Sequence, residues 1–114
     1  MSINRGDIYW ASLDPVRGSE QRGRRPVLII QNDTGNEVAS TTIVAPLTTK
    51  HFSKNYPTNL FLPKGTAGLK SDSTALFSQI RTIDKLRLEE KIGHLPEKYL
   101  EDLDMRIKIS LAVS

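Results

Sequence analysis

The sequence predicts a mainly β chain of the α+β kind: a small antiparallel barrel covered by a C-terminal helix. Three observations lead there. Short apolar or alternating runs recur from residue 7 to residue 83, each closed by Gly, Pro, Asn or Asp. From Pro96 onward the apolar spacing becomes helical. The length of 114 residues suits one domain, 1–114, with one modest core. Several short strands followed by a helix then argue for a barrel with helical cover.

The elements follow in order. In Asp7–Leu13, Ile8, Trp10 and Ser12 share one face while Tyr9, Ala11 and Leu13 share the other, which reads as a strand. Asp14–Arg25 is a long polar connection broken by Pro15, Gly18 and Gly23. Pro26–Asn32 is a continuous β-branched run, expected to be a strand buried on both faces. Asp33–Asn36 has turn chemistry. Thr41–Thr49 is a third strand, in which Pro46 should mark a bulge or an edge. Thr58–Leu62 is a further strand, Pro63–Gly68 a turn, and Ser73–Ile83 one or two β segments. Asp84 is placed to cap a short helix. Glu90–Leu95 is too short to assign. Beyond Pro96, Leu100, Leu103, Ile107 and Leu111 lie on one helical face, with Tyr99 and Val113 nearby.

Composition narrows the function classes. There is no cysteine, which excludes disulfides and thiolate metal sites and suits a reducing cytoplasm. No apolar signal-peptide core is visible, and no apolar stretch approaches the roughly 20 residues of a membrane span, so no membrane partner is expected. The net charge is +3 but unevenly spread. Residues 1–81 hold ten Lys/Arg against six Asp/Glu, and no acid falls between Glu37 and Asp72. A basic body with a near-neutral tail suits a polyanionic partner; a solvated, slightly basic surface is the plainer reading.

Chemistry is limited by what is present. His51 and His94 are far apart in the chain, and His94 reads as a turn residue. No His/Asp/Glu cluster has metal-ligand spacing, and there is no phosphate loop or dinucleotide fingerprint. No metal and no cofactor are therefore expected. What remains is the loop "GSEQRGRR" (Gly18–Arg25), with three arginines and the lone acid Glu20, together with threonines around Thr48. Such parts suit phosphodiester cleavage in RNA. The substrate brings its own 2′-OH, and the enzyme has to align it and stabilise charge on phosphorus. The arginine fork grips two phosphate oxygens. The alternative is that Arg24 and Arg25 pair with Asp14 or Glu20 at the surface.

The stretches "RGDIYW" (Arg5–Trp10), "DPVRGSEQRGRRPVLIIQND" (Asp14–Asp33), "TIVAPLTT" (Thr42–Thr49) and "QIRTID" (Gln79–Asp84) resemble the MazF/PemK toxins of bacterial toxin–antitoxin systems. The likeness is to the Gram-positive-type branch and runs from Arg5 into the C-terminal helix. It implies an SH3-like barrel working as a homodimer in the bacterial cytoplasm. It implies a sequence-specific, metal-independent endoribonuclease acting on single-stranded RNA, with a cognate antitoxin of the MazE kind as partner. Products would be a 2′,3′-cyclic phosphate and a 5′-hydroxyl. The family's catalytic arginine falls on Arg25 and its threonine on Thr48. Ser19, Glu20 and Gln21 match the loop that closes over RNA. Arg5, Asn32 and Gln79 match groove positions.

Residue chemistry restricts the roles further. A guanidinium with a pKa above about 12 is a poor base, so Arg25 is expected to neutralise the phosphorane and to give a proton to the leaving oxygen late. Thr48 would hold a non-bridging oxygen. Glu20 is a weaker catalytic candidate, either as acceptor of the 2′-OH proton or as the group that orients Arg25 or a base. Asn32, Gln21 and Gln79 suit base edges; Phe52 and Tyr56 suit base stacking or local packing. Lys50, Lys54, Lys64 and Lys70 would steer the backbone. Two other readings share the barrel: a gyrase-poisoning toxin of the CcdB kind, and a non-catalytic SH3-like binding module.

Overall fold

The structure, a computed structural model, describes residues 2–114. Seven strands form an open, barrel-like antiparallel sheet: β1 (Asp7–Ser12), β2 (Arg24–Ile29), β3 (Thr41–Thr48), β4 (Asn59–Leu62), β5 (Ser73–Leu76), β6 (Arg81–Asp84) and β7 (Leu88–His94). Their order is β4-β5-β3-β2-β1-β7, and β6 also pairs with β3. Helix α1 (Asp33–Val38) joins β2 to β3, and α2 (Leu100–Leu111) closes the chain.

The continuous apolar run of β2 has the reason expected for it. Leu28 and Ile30 enter one core cluster, with Ile8, Leu47, Phe77 and Leu103. Val27 and Ile29 enter a second cluster on the other face, with Tyr9, Ala11, Val44 and Ile83. The strand is a wall between two apolar layers, so it has no polar face to alternate. Each fully buried aliphatic side chain contributes about 1.5–3 kcal/mol.

β3 is bent between two partners. Thr41–Val44 pair with β6, whereas Leu47 and Thr48 pair with β5. Ala45 and Pro46 fall between these two ladders. Pro46 therefore stands where that edge of the strand changes neighbours and a missing N–H is tolerated. The run 73–83 is correspondingly split into β5 and β6 by a 3-10 turn at Phe77–Gln79.

Three local expectations are corrected and one is met. Asp33–Asn36 is the start of a helix and not a simple turn: the Asn32 side chain accepts from Gly35 N–H and caps it. The buried side of that helix is polar, because Asn36 bonds Gln31 and Thr42, so no apolar periodicity marked it. The short helix expected after Asp84 is a single 3-10 turn, Lys85–Arg87, and Asp84 caps it as expected. His94 closes β7 and bonds the buried Asp7 carboxylate through Nδ1 at 2.7 Å. In α2, Leu103 is buried and Ile107 packs on the core, but Leu111 and Val113 are exposed. The helix ends there, at Ala112 in the left-handed region (φ 56°).

β7 packs on the 3-10 turn Thr66–Gly68 at glycines. A Cβ on Gly93 would lie 2.0 Å from the Ala67 carbonyl oxygen, so no other residue fits.

Candidate nucleic-acid interface

β2 begins two residues earlier than the apolar run, because Arg24 and Arg25 pair with Ser12 and Ala11 of β1. This strand seat, and not a free loop, positions Arg25. On its other edge β2 aligns Val27 with Pro46, Leu28 with Ala45 and Ile29 with Val44. Arg25 lies two residues before Val27 and Thr48 two residues after Pro46, beyond the last pair of this ladder, so strand alternation assigns both to one face of the sheet. The two catalytic candidates thus share one face at the end of the sheet.

Thr48 is nearly buried, and its Oγ1 accepts the Lys50 N–H at 3.2 Å. Arg25 Nε donates to the Arg22 carbonyl at 2.7 Å. Among the described residues, the terminal nitrogens of Arg25 have no hydrogen-bond or ion-pair partner. The backbone bond aims the guanidinium and leaves its outer edge available to an anion. The surface pairing considered for these arginines is not formed. Arg24 pairs with Glu89 and lies 4.2 Å over the Trp10 ring. Asp14 and Glu20 instead accept backbone N–H groups of Gly23 and Arg17.

The loop between β1 and β2 turns at Gly18 and Gly23, both at positive φ. It rests on the body through Gln21, whose N–H donates to Gln79 Oε1 at 2.7 Å. Beneath it lies a cleft of about 410 Å³ walled by Ser19, Glu20, Gln21, Pro46, Gln79 and Arg81. A second cleft of about 320 Å³ shares Ser19, Gln21 and Gln79 and adds Lys50, Phe52 and Tyr56. Thr48 falls between Pro46 on the first and Lys50 on the second. The structure therefore gathers Ser19, Gln21 and Gln79 at both clefts, with Glu20 on the first and Lys50 on the second, while Arg25 and Thr48 line neither.

Arg5 and Asn32 are not gathered there. Arg5 precedes β1 and Asn32 follows β2, so both lie at the end of this strand pair away from the loop. Five residues of strand separate Arg25 from Ile30, or about 16 Å. Arg5 is also occupied: Nε donates to the Ile30 carbonyl at 3.0 Å, Nη2 pairs with Asp104 at 2.7 Å, and its N–H donates to Asp33. Within one chain, Arg5 ties α2 to the sheet and Asn32 caps α1. Ser78 and Arg81, which line the first cleft, had no role in the sequence reading. Ser78 lies in the 3-10 turn that breaks 73–83 and Arg81 begins the strand after it, a break the sequence did not locate.

Among the described residues, no group of three or more His, Cys, Asp or Glu is placed to hold a metal ion, and no helix is long and apolar enough to cross a membrane. One perturbed group lies in the barrel wall: burial pushes the Tyr9 phenol up, the Asp7 carboxylate adds to the rise, and Lys91 opposes it.

The fold is an antiparallel, barrel-like sheet closed by a C-terminal helix, with a polar loop over a cleft at one sheet end. Residues 4–111 match the family described as PemK-like, MazF-like toxin of type II toxin–antitoxin system. Endoribonuclease EndoA of Bacillus subtilis (strain 168) is 47% identical over 113 residues, covering 99% of this chain and 97% of that protein. Endoribonuclease MazF of Staphylococcus saprophyticus is 47% identical over 111 residues, covering 97% and 92%. A mycobacterial endoribonuclease solved in complex with its cognate antitoxin shares the fold, with TM-score 0.81, 19% identity and coverage of 98% and 97%. The chain belongs to the PemK/MazF toxin family of type II toxin–antitoxin systems.

Proposed function

We propose that this toxin is a sequence-specific, metal-independent endoribonuclease acting on single-stranded RNA, with Arg25 and Thr48 as its catalytic pair. Support comes from family membership and from one observation above all: Arg25 presents an unpaired guanidinium edge on the same sheet face as Thr48. In this reading the 2′-oxygen attacks the adjacent phosphorus and the bond to the 5′-oxygen breaks. The proton from the 2′-OH passes to a base, and the 5′-oxygen takes up a proton as it leaves. The products are a 2′,3′-cyclic phosphate and a 5′-hydroxyl. Arg25 neutralises the charge on the phosphorane oxygens, and the Thr48 hydroxyl donates to one of them. Glu20 Oε1 accepts the Arg17 N–H, which leaves Oε2 to accept the 2′-OH proton. Gln21 and Gln79 meet base edges exposed by the unpaired strand.

The protein works as a homodimer in the bacterial cytoplasm, where its substrate is. A cognate antitoxin restrains it, as the complex of the mycobacterial relative illustrates for that protein. The test is incubation of the purified protein with a long RNA in the presence of EDTA, with mapping of the new 5′ ends and analysis of the termini. Cleavage at one recurring word with cyclic-phosphate ends is the expected result. Absence of cleavage by a folded protein would return the chain to the gyrase-poisoning reading.

A further inference from the structure

Past Lys50 the second cleft opens into a larger one of about 830 Å³, between the connection from β3 to β4 and helix α2. Its chemistry differs from that under the loop. Phe61 projects from the outer face of β4, opposite Thr74 of β5, and is 56% exposed. Tyr56 is 48% exposed, and its ring meets Phe52 edge-on with centroids 6.1 Å apart. Large rings held open to water in one concave surface are a site for something flat and apolar.

The cations are arranged around these rings. Lys50 Nζ lies 5.3 Å from the Phe52 centroid, and Lys54 lines the same wall. Arg106 of α2 donates to the Pro57 carbonyl at 2.9 Å and lies 3.8 Å from Asp102, and its Nε is buried with no acceptor. Asp72 is the one acid of the walls, and its Oδ1 already accepts the Lys64 N–H. Rings for flat faces beside cations for a charged backbone are what an unpaired nucleic acid strand requires. Base-paired bases have no face to offer. The large cleft and the cleft under Gln21 and Gln79 share Lys50, Phe52, Tyr56 and Asn59, so one strand passes from one to the other without leaving the surface.

We propose that the Phe61 cleft is a second subsite, which stacks unpaired RNA nucleotides lying outside the cleaved phosphate. The proposal rests on the RNA-cleaving reading above. It makes catalytic efficiency depend on substrate length on one side of the cut.

The experiment begins with an RNA site mapped for the wild-type protein and trimmed from each end to the shortest oligonucleotide still cleaved. That core is then extended by about four unpaired nucleotides at the 5′ or the 3′ end. Wild-type kcat/KM should rise with extension at one end and not at the other. Phe61→Ala should lower kcat/KM about tenfold on the extended substrate and leave the core within about twofold, Phe61→Leu should resemble it, and Phe61→Trp should keep the gain. Far-UV circular dichroism checks that each variant is folded. No length dependence in the wild type, or equal loss on core and extended substrates, would overturn the subsite. A lower sedimentation coefficient for Phe61→Ala with equal loss at both lengths would overturn it too, and would assign the face to a second copy of the chain. If the wild type cuts no RNA at all, the failure belongs to the cleavage reading.

Discussion

The two ends of β2 hold arginines in opposite states. At the far end, Arg5 is bound on three sides, to the Ile30 carbonyl, Asp33 and Asp104. At the near end, Arg25 makes one bond to the Arg22 carbonyl. A guanidinium with its donors satisfied joins elements of a fold. One that is aimed but unsatisfied keeps its binding capacity for a ligand. The contrast separates an arginine spent on the fold from one whose donors stay available to a ligand.

The strongest test of that contrast is Arg25→Ala. It should cut RNA cleavage by about 10³-fold with an unchanged thermal midpoint, since the side chain ties nothing beyond its own loop. Normal cleavage by this variant would end the assignment of the site. Thr48→Val should follow with about a 10²-fold loss in kcat, measured on the same substrate, because one donor to the phosphorane is removed while shape is kept.

Arg5→Ala probes the other end. It should lower stability by about 1 kcal/mol, seen as a lower midpoint in urea, with cleavage changed by less than about threefold. Loss of cleavage without loss of stability would break the comparison. It would place the Arg5 end in the RNA groove, through an arrangement that needs a second chain.

The smallest effect lies midway along β2, where Tyr9 pairs with Val27. The Tyr9 phenol ionises later in the folded protein than in the unfolded chain, because it is buried and close to Asp7. The unfolded state therefore loses this proton first as pH rises. Stability should fall once pH passes about 10, the ordinary tyrosine value, and Tyr9→Phe should flatten that fall in urea melts taken across the range.

Much of this was legible from local chemistry. The apolar run Pro26–Ile30 marked a doubly buried strand because both of its faces meet a core. Pro46 was expected at a bulge or an edge; it sits in an interior strand, at the gap between the β6 and β5 ladders, because proline tolerates a missing ladder bond. The glycines at 18 and 23 marked the loop. Helix α1 was not legible, since its buried contact is the polar Asn36. Neither was β7, whose middle exposes Glu89 and Glu90 and whose register against β1 shifts twice. An element shows in a sequence when its environment is uniform along one face, and these two lack such a face.

The candidate site divides the same way. Residue types alone name the groups suited to the chemistry: an arginine to hold phosphate, a threonine to donate and amides for base edges. Which of them come together is settled by folding: strand alternation assigns Arg25 and Thr48 to one face, and the Gln21–Gln79 bond spans 58 residues of chain. The same antiparallel pairing sends Arg5 and Asn32 to the opposite end. Residue type is a local property, whereas proximity is set by which strands pair and in what register, and that is decided by burying two apolar layers at once.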